Sequence, residues 1–107
     1  MSAEQIRLDA FSLNCVTRRA WVHGRPVQLS EKELDLAACF LGSPGRILDR
    51  VELHAKVWHR PWVETSRTLD THVSRLRRKL ELDGQHGWRL CASYQRGYAL
   101  RPCATTP

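Results

Sequence analysis

Short alternating runs fill the first thirty residues. Ile6 and Leu8, Phe11 and Leu13, Trp21 and His23, and Val27 and Leu29 recur at every second position, with His23-Gly24 and Pro26 as punctuation. This pattern predicts a small antiparallel sheet of short strands and tight turns. The period then becomes helical. Ser30 and Glu33 have the S-x-x-E spacing in which each side chain satisfies the other's backbone N–H at a helix start. Leu34, Ala37, Ala38 and Leu41 follow on one helical face, and the run 42–45, Gly-Ser-Pro-Gly, ends it. Asp49 and Glu52 repeat the capping pattern, and Val51, Ala55 and Trp58 predict the apolar stripe of a second helix that Pro61 must end. Between these helices only Arg46, Ile47 and Leu48 leave room for a strand.

A third helix, over 66–82 with Thr65 or Ser66 as its cap, has the sharpest pattern. Leu69, Val73, Leu76 and Leu80 form one narrow apolar stripe at about 100° per residue. Opposite it fall Arg67, Thr71, Ser74, Arg75 and Arg78, with Thr68, His72 and Lys79 along one flank. The chain closes with two β-forming runs, Trp88 to Ser93 and Tyr98 to Arg101, around a turn from Tyr94 to Gly97. They predict a hairpin over 88–101, followed by a tail over 102–107. A sheet, three helices and a terminal hairpin is the α+β order of a winged helix-turn-helix.

Composition narrows the options. A chain of 107 residues is about one domain's worth, with an ordered core expected over roughly 5–101. No stretch approaches the roughly 18 apolar residues of a membrane span. Cys15, Cys39, Cys91 and Cys103 form no C-x-x-C pair, and the polar run Met1 to Asp9 lacks the apolar core of a signal peptide, so free thiols in a cytoplasmic protein are expected. His54 and His59 have a finger-like spacing without a cysteine pair nearby, and no metal is expected. Nucleophile elbows, phosphate loops and paired carboxylates are missing too, so neither an enzyme nor a cofactor is expected.

Charge adds the decisive clue. Seventeen Lys and Arg against eleven Asp and Glu give +6 overall. Residues 67–80 hold Arg67, Arg75, Arg77, Arg78 and Lys79 against Asp70, five cations less one anion, so this helix carries +4 of that total. A solvated cationic face is the ordinary reading of such a helix, but concentration on one exposed face favours a polyanion. The helix fits the roughly 12 Å major groove of B-DNA, where Arg can grip guanine through two hydrogen bonds and Thr or Ser can contact bases. Asp70 is expected to pair with Arg67 or Arg77, and Trp21, Trp58 and Trp88 to belong to the core or to cover a sheet.

The residues also carry a family resemblance. The run 66–80, SRTLDTHVSRLRRKL, with Leu29 to Glu33 and Gly97-Tyr98, resembles the effector domain of OmpR/PhoB-type response regulators from about Ile6 to Arg101. The resemblance implies a four-stranded N-terminal sheet, a three-helix core, a hairpin wing, and promoter binding as a head-to-tail pair on direct repeats. It implies DNA contacts at Arg67, Thr68, His72 and Arg75, with Arg78 and Lys79 as the helix's basic end; Thr71 and Ser74 complete that face. Family wings commonly read T-V-R-G-x-G-Y, whereas residues 92–98 here read ASYQRGY, placing Tyr94 where the family has arginine. Arg96 is the candidate to take over the cationic role, with Tyr94 touching sugar and phosphate. The loop His59 to Thr65 resembles the family's transactivation loop, making Arg60, Trp62 and Glu64 candidate contacts to RNA polymerase; a packed Trp62 is the plainer reading. Family members usually carry a receiver of about a hundred residues, which 107 residues do not accommodate, so an effector domain cut from a longer regulator or a stand-alone member is expected. The rival reading from another class is a winged-helix module that docks RNA polymerase or a partner domain without specific DNA binding. RNA binding ranks third, because the deep, narrow groove of A-form RNA suits a rigid helix poorly.

Overall fold

A computed structural model describes residues 5–59, 67–93 and 96–103. The chain begins with a four-stranded antiparallel meander: β1 (Gln5–Leu8), β2 (Phe11–Asn14), β3 (Arg19–Val22) and β4 (Arg25–Val27). The β3–β4 turn is His23-Gly24, with φ of 51° and 77°, the two left-handed positions that a tight right-twisted hairpin requires. Phe11 pairs with Val22 and Leu13 with Ala20, and all four are buried on the inner face. On β3 the register with β2 assigns the inner face to Ala20 and Val22 and leaves Trp21 on the opposite face, where it covers the sheet and not the core. Trp21 is half-buried and His23 exposed.

Helix α1 (Glu31–Leu41) starts as its sequence predicts. Ser30 Oγ accepts from the Glu33 amide at 3.2 Å, and Glu33 Oε1 accepts from the Ser30 amide at 2.8 Å. Its apolar face is wider than one stripe, since Leu36 and Phe40 are buried with Leu34, Ala37 and Leu41. Strand β5 (Leu48–Asp49) leads into α2 (Arg50–Trp58), and Asp49 caps that helix through the Glu52 amide at 2.8 Å. The buried stripe of α2 differs from the expected one. Leu53, His54 and Val57 face inward, whereas Val51 is 58% exposed and Ala55 faces solvent. Leu53 and Val57, one turn apart, bury more apolar area than Ala55 can offer, and their packing sets the rotation of the helix. Helix α2 stops at Trp58, with left-handed His59 (φ 56°) as its C-cap, two residues ahead of Pro61.

Helix α3 (Thr68–Lys79) is shorter than the expected 66–82. Arg67 occupies its N-cap position without a side-chain cap, and Thr65 and Ser66 lie outside the described residues. At the other end the Leu82 amide reaches the Arg77 carbonyl at 2.8 Å and Glu81 turns left-handed at φ 56°. That is a Schellman stop on a non-glycine residue, with Leu82 buried behind it. The predicted stripe holds: Leu69, Val73, Leu76 and Leu80 are all at most 1% exposed.

Strands β6 (Trp88–Ser93) and β7 (Gly97–Pro102) form the hairpin, and β5 joins them in the order β5-β7-β6. A Cβ on Gly97 would sit 2.1 Å from the Leu48 carbonyl oxygen, so only glycine lets β5 come this close to the turn end of the hairpin. The expected tail begins later than 102. Pro102 pairs with Trp88, and the Cys103 amide donates to the Gly87 carbonyl at 2.8 Å. The Trp88 indole donates to Asp9 Oδ2 at 2.6 Å, joining the hairpin base to the N-terminal sheet. One apolar core runs through both sheets and all three helices.

Candidate nucleic-acid interface

Packing of the Leu69, Val73 and Leu76 stripe turns the opposite face of α3 to solvent. Arg67, Thr68, Thr71, Ser74, Arg75 and Arg78 are exposed there, as the helical period predicts. The side chains of Arg67, Arg75 and Arg78 make no ion pair or hydrogen bond with another described residue. Arg67, Thr71 and Ser74 line a shallow open hollow with Asp70. Hydroxyls and unneutralised guanidinium groups thus share one exposed surface.

The other charged side chains of this helix are held by the protein itself. Asp70 does not pair with Arg67 or Arg77 as expected. Arg50 Nη1, from the first turn of α2, lies 2.8 Å from Asp70 Oδ1, and the Tyr98 hydroxyl of β7 donates to that same oxygen. The sequence spacing suggested neighbours on the helix, but the fold offers Asp70 two groups that are half-buried or buried and need an acceptor. Burial and the bond to Asp70 push the Tyr98 phenol up; for Arg50 burial acts to lower the pKa, but Asp70 outweighs it and holds the guanidinium more firmly charged. Arg77 turns sideways, and its Nε donates to the Leu90 carbonyl of β6 at 2.9 Å.

Lys79 likewise has a structural partner. Its Nζ lies 2.7 Å from Glu33 Oε1, on a carboxylate only 2% exposed at the start of α1. Burial alone would raise the Glu33 pKa, but the Lys79 ammonium and the bonds from Ser30 outweigh it and leave the carboxyl below its ordinary range. Glu33 therefore serves as a helix cap and as the anchor for the end of α3. His72 is half-buried: its Nδ1 lies 2.8 Å from the Thr68 carbonyl, and its ring meets Trp58 edge-on at 5.1 Å. Trp58 in turn stacks on His54 at 5.0 Å, so an aromatic column links α2 to α3.

At the hairpin tip Arg96 is exposed, and its side chain has no partner among the described residues. Its amide donates to the Ser93 carbonyl at 2.9 Å, and its carbonyl accepts from the Arg50 amide at 3.3 Å. Tyr94, and Arg60, Trp62 and Glu64, lie outside the described residues. Sequence reasoning missed Arg50 and Glu33 as supports of this surface. The S-x-x-E spacing identified Glu33 as a cap, but no local signal points to its second partner 46 residues later.

Three helices with the third laid bare, flanked by a β-hairpin, define a winged helix. The family described as "Transcriptional regulatory protein, C terminal" matches residues 24–100. The chain belongs to this family, the effector domains of OmpR/PhoB-type response regulators, which are transcription regulators and not enzymes. Among curated relatives, the sensory transduction protein RegX3 of Mycolicibacterium smegmatis is 39% identical over 79 residues, covering 74% of this chain and 35% of that protein. The transcriptional regulatory protein YclJ of Bacillus subtilis is 35% identical over 78 residues, covering 72% and 34%. The chain thus spans about a third of the length of these relatives. Among solved structures, the Klebsiella pneumoniae RstA DNA-binding domain in complex with the RstA box superposes with a TM-score of 0.81 at 25% identity, over 92% of this chain and 98% of that one. The DNA-binding domain of CpxR from E. coli gives 0.81 at 26% identity, over 94% and 98%. No helix among the described residues is long and apolar enough to cross a membrane.

Proposed function

We propose that this chain is a single-domain reader of double-stranded DNA that regulates transcription in the cytoplasm as the effector part of a two-component response regulator. Helix α3 enters the major groove, and Arg96 at the hairpin tip meets the backbone or minor groove. The carrying observation is the exposed face where Arg67, Arg75 and Arg78 stand beside Thr71 and Ser74 with no partner among the described residues. Partnerless guanidinium groups on a rigid convex helix match what groove readout needs: donors for guanine O6 and N7 and charges for flanking phosphates. The RstA domain, which shares this fold and was solved in complex with the RstA box, supports DNA as the partner.

The same reading divides the residues by role. Arg67, Thr68, Thr71, Ser74, Arg75 and Arg78 are assigned to DNA, while Lys79 and His72 chiefly hold the helix. Family likeness supports a head-to-tail pair of otherwise monomeric domains on direct repeats, and a polymerase contact through Arg60, Trp62 and Glu64.

Selection of preferred duplexes from a random DNA pool, followed by a salt titration on the winner, tests this reading. A repeated half-site and a log–log salt slope of several units are expected. Equal binding to every duplex, or none at moderate salt, would return the chain to the rival class of protein-docking modules.

A further inference from the structure

The first turn of α3 and the turn end of the wing meet at one carboxylate. Asp70 Oδ1 takes the Arg50 guanidinium at 2.8 Å and the Tyr98 hydroxyl, and the Arg50 side chain also lies over the Tyr98 ring, 5.4 Å from its centroid. The Arg50 amide reaches the carbonyl of Arg96 at 3.3 Å, and Tyr98 stands two residues beyond that wing-tip residue on β7. Arg50, Asp70 and Tyr98 come from α2, α3 and β7, so this contact spans the three elements on which the groove helix and the wing depend. Tyr98 is only 6% exposed and has no surface of its own to offer a nucleic acid.

We infer that Asp70, Arg50 and Tyr98 are positioning residues that lock the angle between the groove helix and the wing, so that both engage one duplex together. This rests on the DNA-binding reading above. The chemistry suits the task, because a charge-assisted bond fixes direction better than apolar packing, and a carboxylate with two donors from different elements ties both to one atom. It also explains why a carboxylate stands on a cationic helix facing phosphates, where electrostatics alone would disfavour it. Without the lock, the wing and α3 bind as loosely tethered parts, and the ordering cost falls on binding.

The sign of one substitution separates this role from plain charge. Asp70→Asn removes an anion beside the duplex, so electrostatics alone predicts tighter binding, whereas the lock predicts binding weakened about 3- to 10-fold with a shallower salt slope as the wing loses a phosphate. Tyr98→Phe removes one hydroxyl without changing charge and is expected to weaken binding in the same way. Duplex affinity is read by fluorescence anisotropy on the pool-selected duplex, with thermal melting as a check on folding. Unchanged or tighter binding by either folded variant overturns the inference; if Asp70→Asn fails to fold, Tyr98→Phe decides. Should the wild-type chain bind no duplex, the functional reading falls by itself, and hydrogen exchange then judges the lock. Faster exchange of the Arg50 and Gly97 amides in Tyr98→Phe supports it, and unaltered exchange removes it.

Discussion

On the outer face of α3, Arg67, Arg75 and Arg78 extend without a partner among the described residues, whereas around its flanks Asp70, Arg77 and Lys79 are each taken up by another element. Residue type does not separate the two groups, since both contain arginine. Angular position does. A long cation pointing away from the core finds only water, but one at the edge of the packed stripe reaches a carbonyl of β6 or the carboxylate of α1. Net charge on a helix therefore overstates its capacity for a polyanion: of the four cations on α3 and the fifth at its N-cap, two are anchors. With Asp70 held by Arg50 in the first turn and these two anchors in the last, the helix backbone is fixed at both ends, which lowers the ordering cost of any binding by the outer three.

The apolar side of that comparison should break hardest. Leu76 is fully buried on the stripe opposite the outer face, and Leu76→Ala is expected to cost about 2–5 kcal/mol of unfolding free energy in urea titration, loosening free and anchored cations alike. Next in size is a contrast between faces. Arg75→Ala should cost about 1–3 kcal/mol in duplex affinity, relax base preference and leave thermal stability unaltered. Lys79→Ala should show the opposite profile, a lowered melting temperature with base preference retained. Equal profiles for the two variants would erase the distinction drawn here.

The smallest effect sharpens the anchored side through pH. The Glu33 carboxyl titrates below its ordinary value of 4.5 when folded, so its contribution is complete above that value and is lost as pH falls through it toward the folded value. Glu33→Gln should cost about 1 kcal/mol at neutral pH. Its unfolding free energy should also fall less steeply than the wild type's as pH drops below about 4.5, by urea titration at several pH values. The variant still falls somewhat, because Glu81 and Asp83 are held low as well, by His86 and Gln85 respectively. Parallel pH curves for the two proteins would mean that the Glu33 charge is not what secures the end of α3.

Much of this was written in short-range patterns. Both capping signals fell where helices begin, the leucine stripe of α3 is buried throughout, and the strand runs at 88–93 and 97–102 pair as a hairpin. Local signals failed where a choice depended on a distant neighbour. Alternation offered Trp21 and His23 as readily as Ala20 and Val22, and only the pairing with Phe11 and Leu13 decided between them. In α2, Val51 and Ala55 made a plausible stripe until Leu53 and Val57 met the core.

Sequence by itself determined the order of elements, the cationic face and the residues standing on it, because helical and strand periods fix which side chains share a side. Tertiary structure decided which of those charges remain available. Ion pairs such as Lys79 with Glu33 and Asp70 with Arg50 join residues 46 and 20 positions apart, and no local period encodes such a meeting. Whether a cation is a ligand or a strut depends on what the folded chain brings within about 3 Å of it.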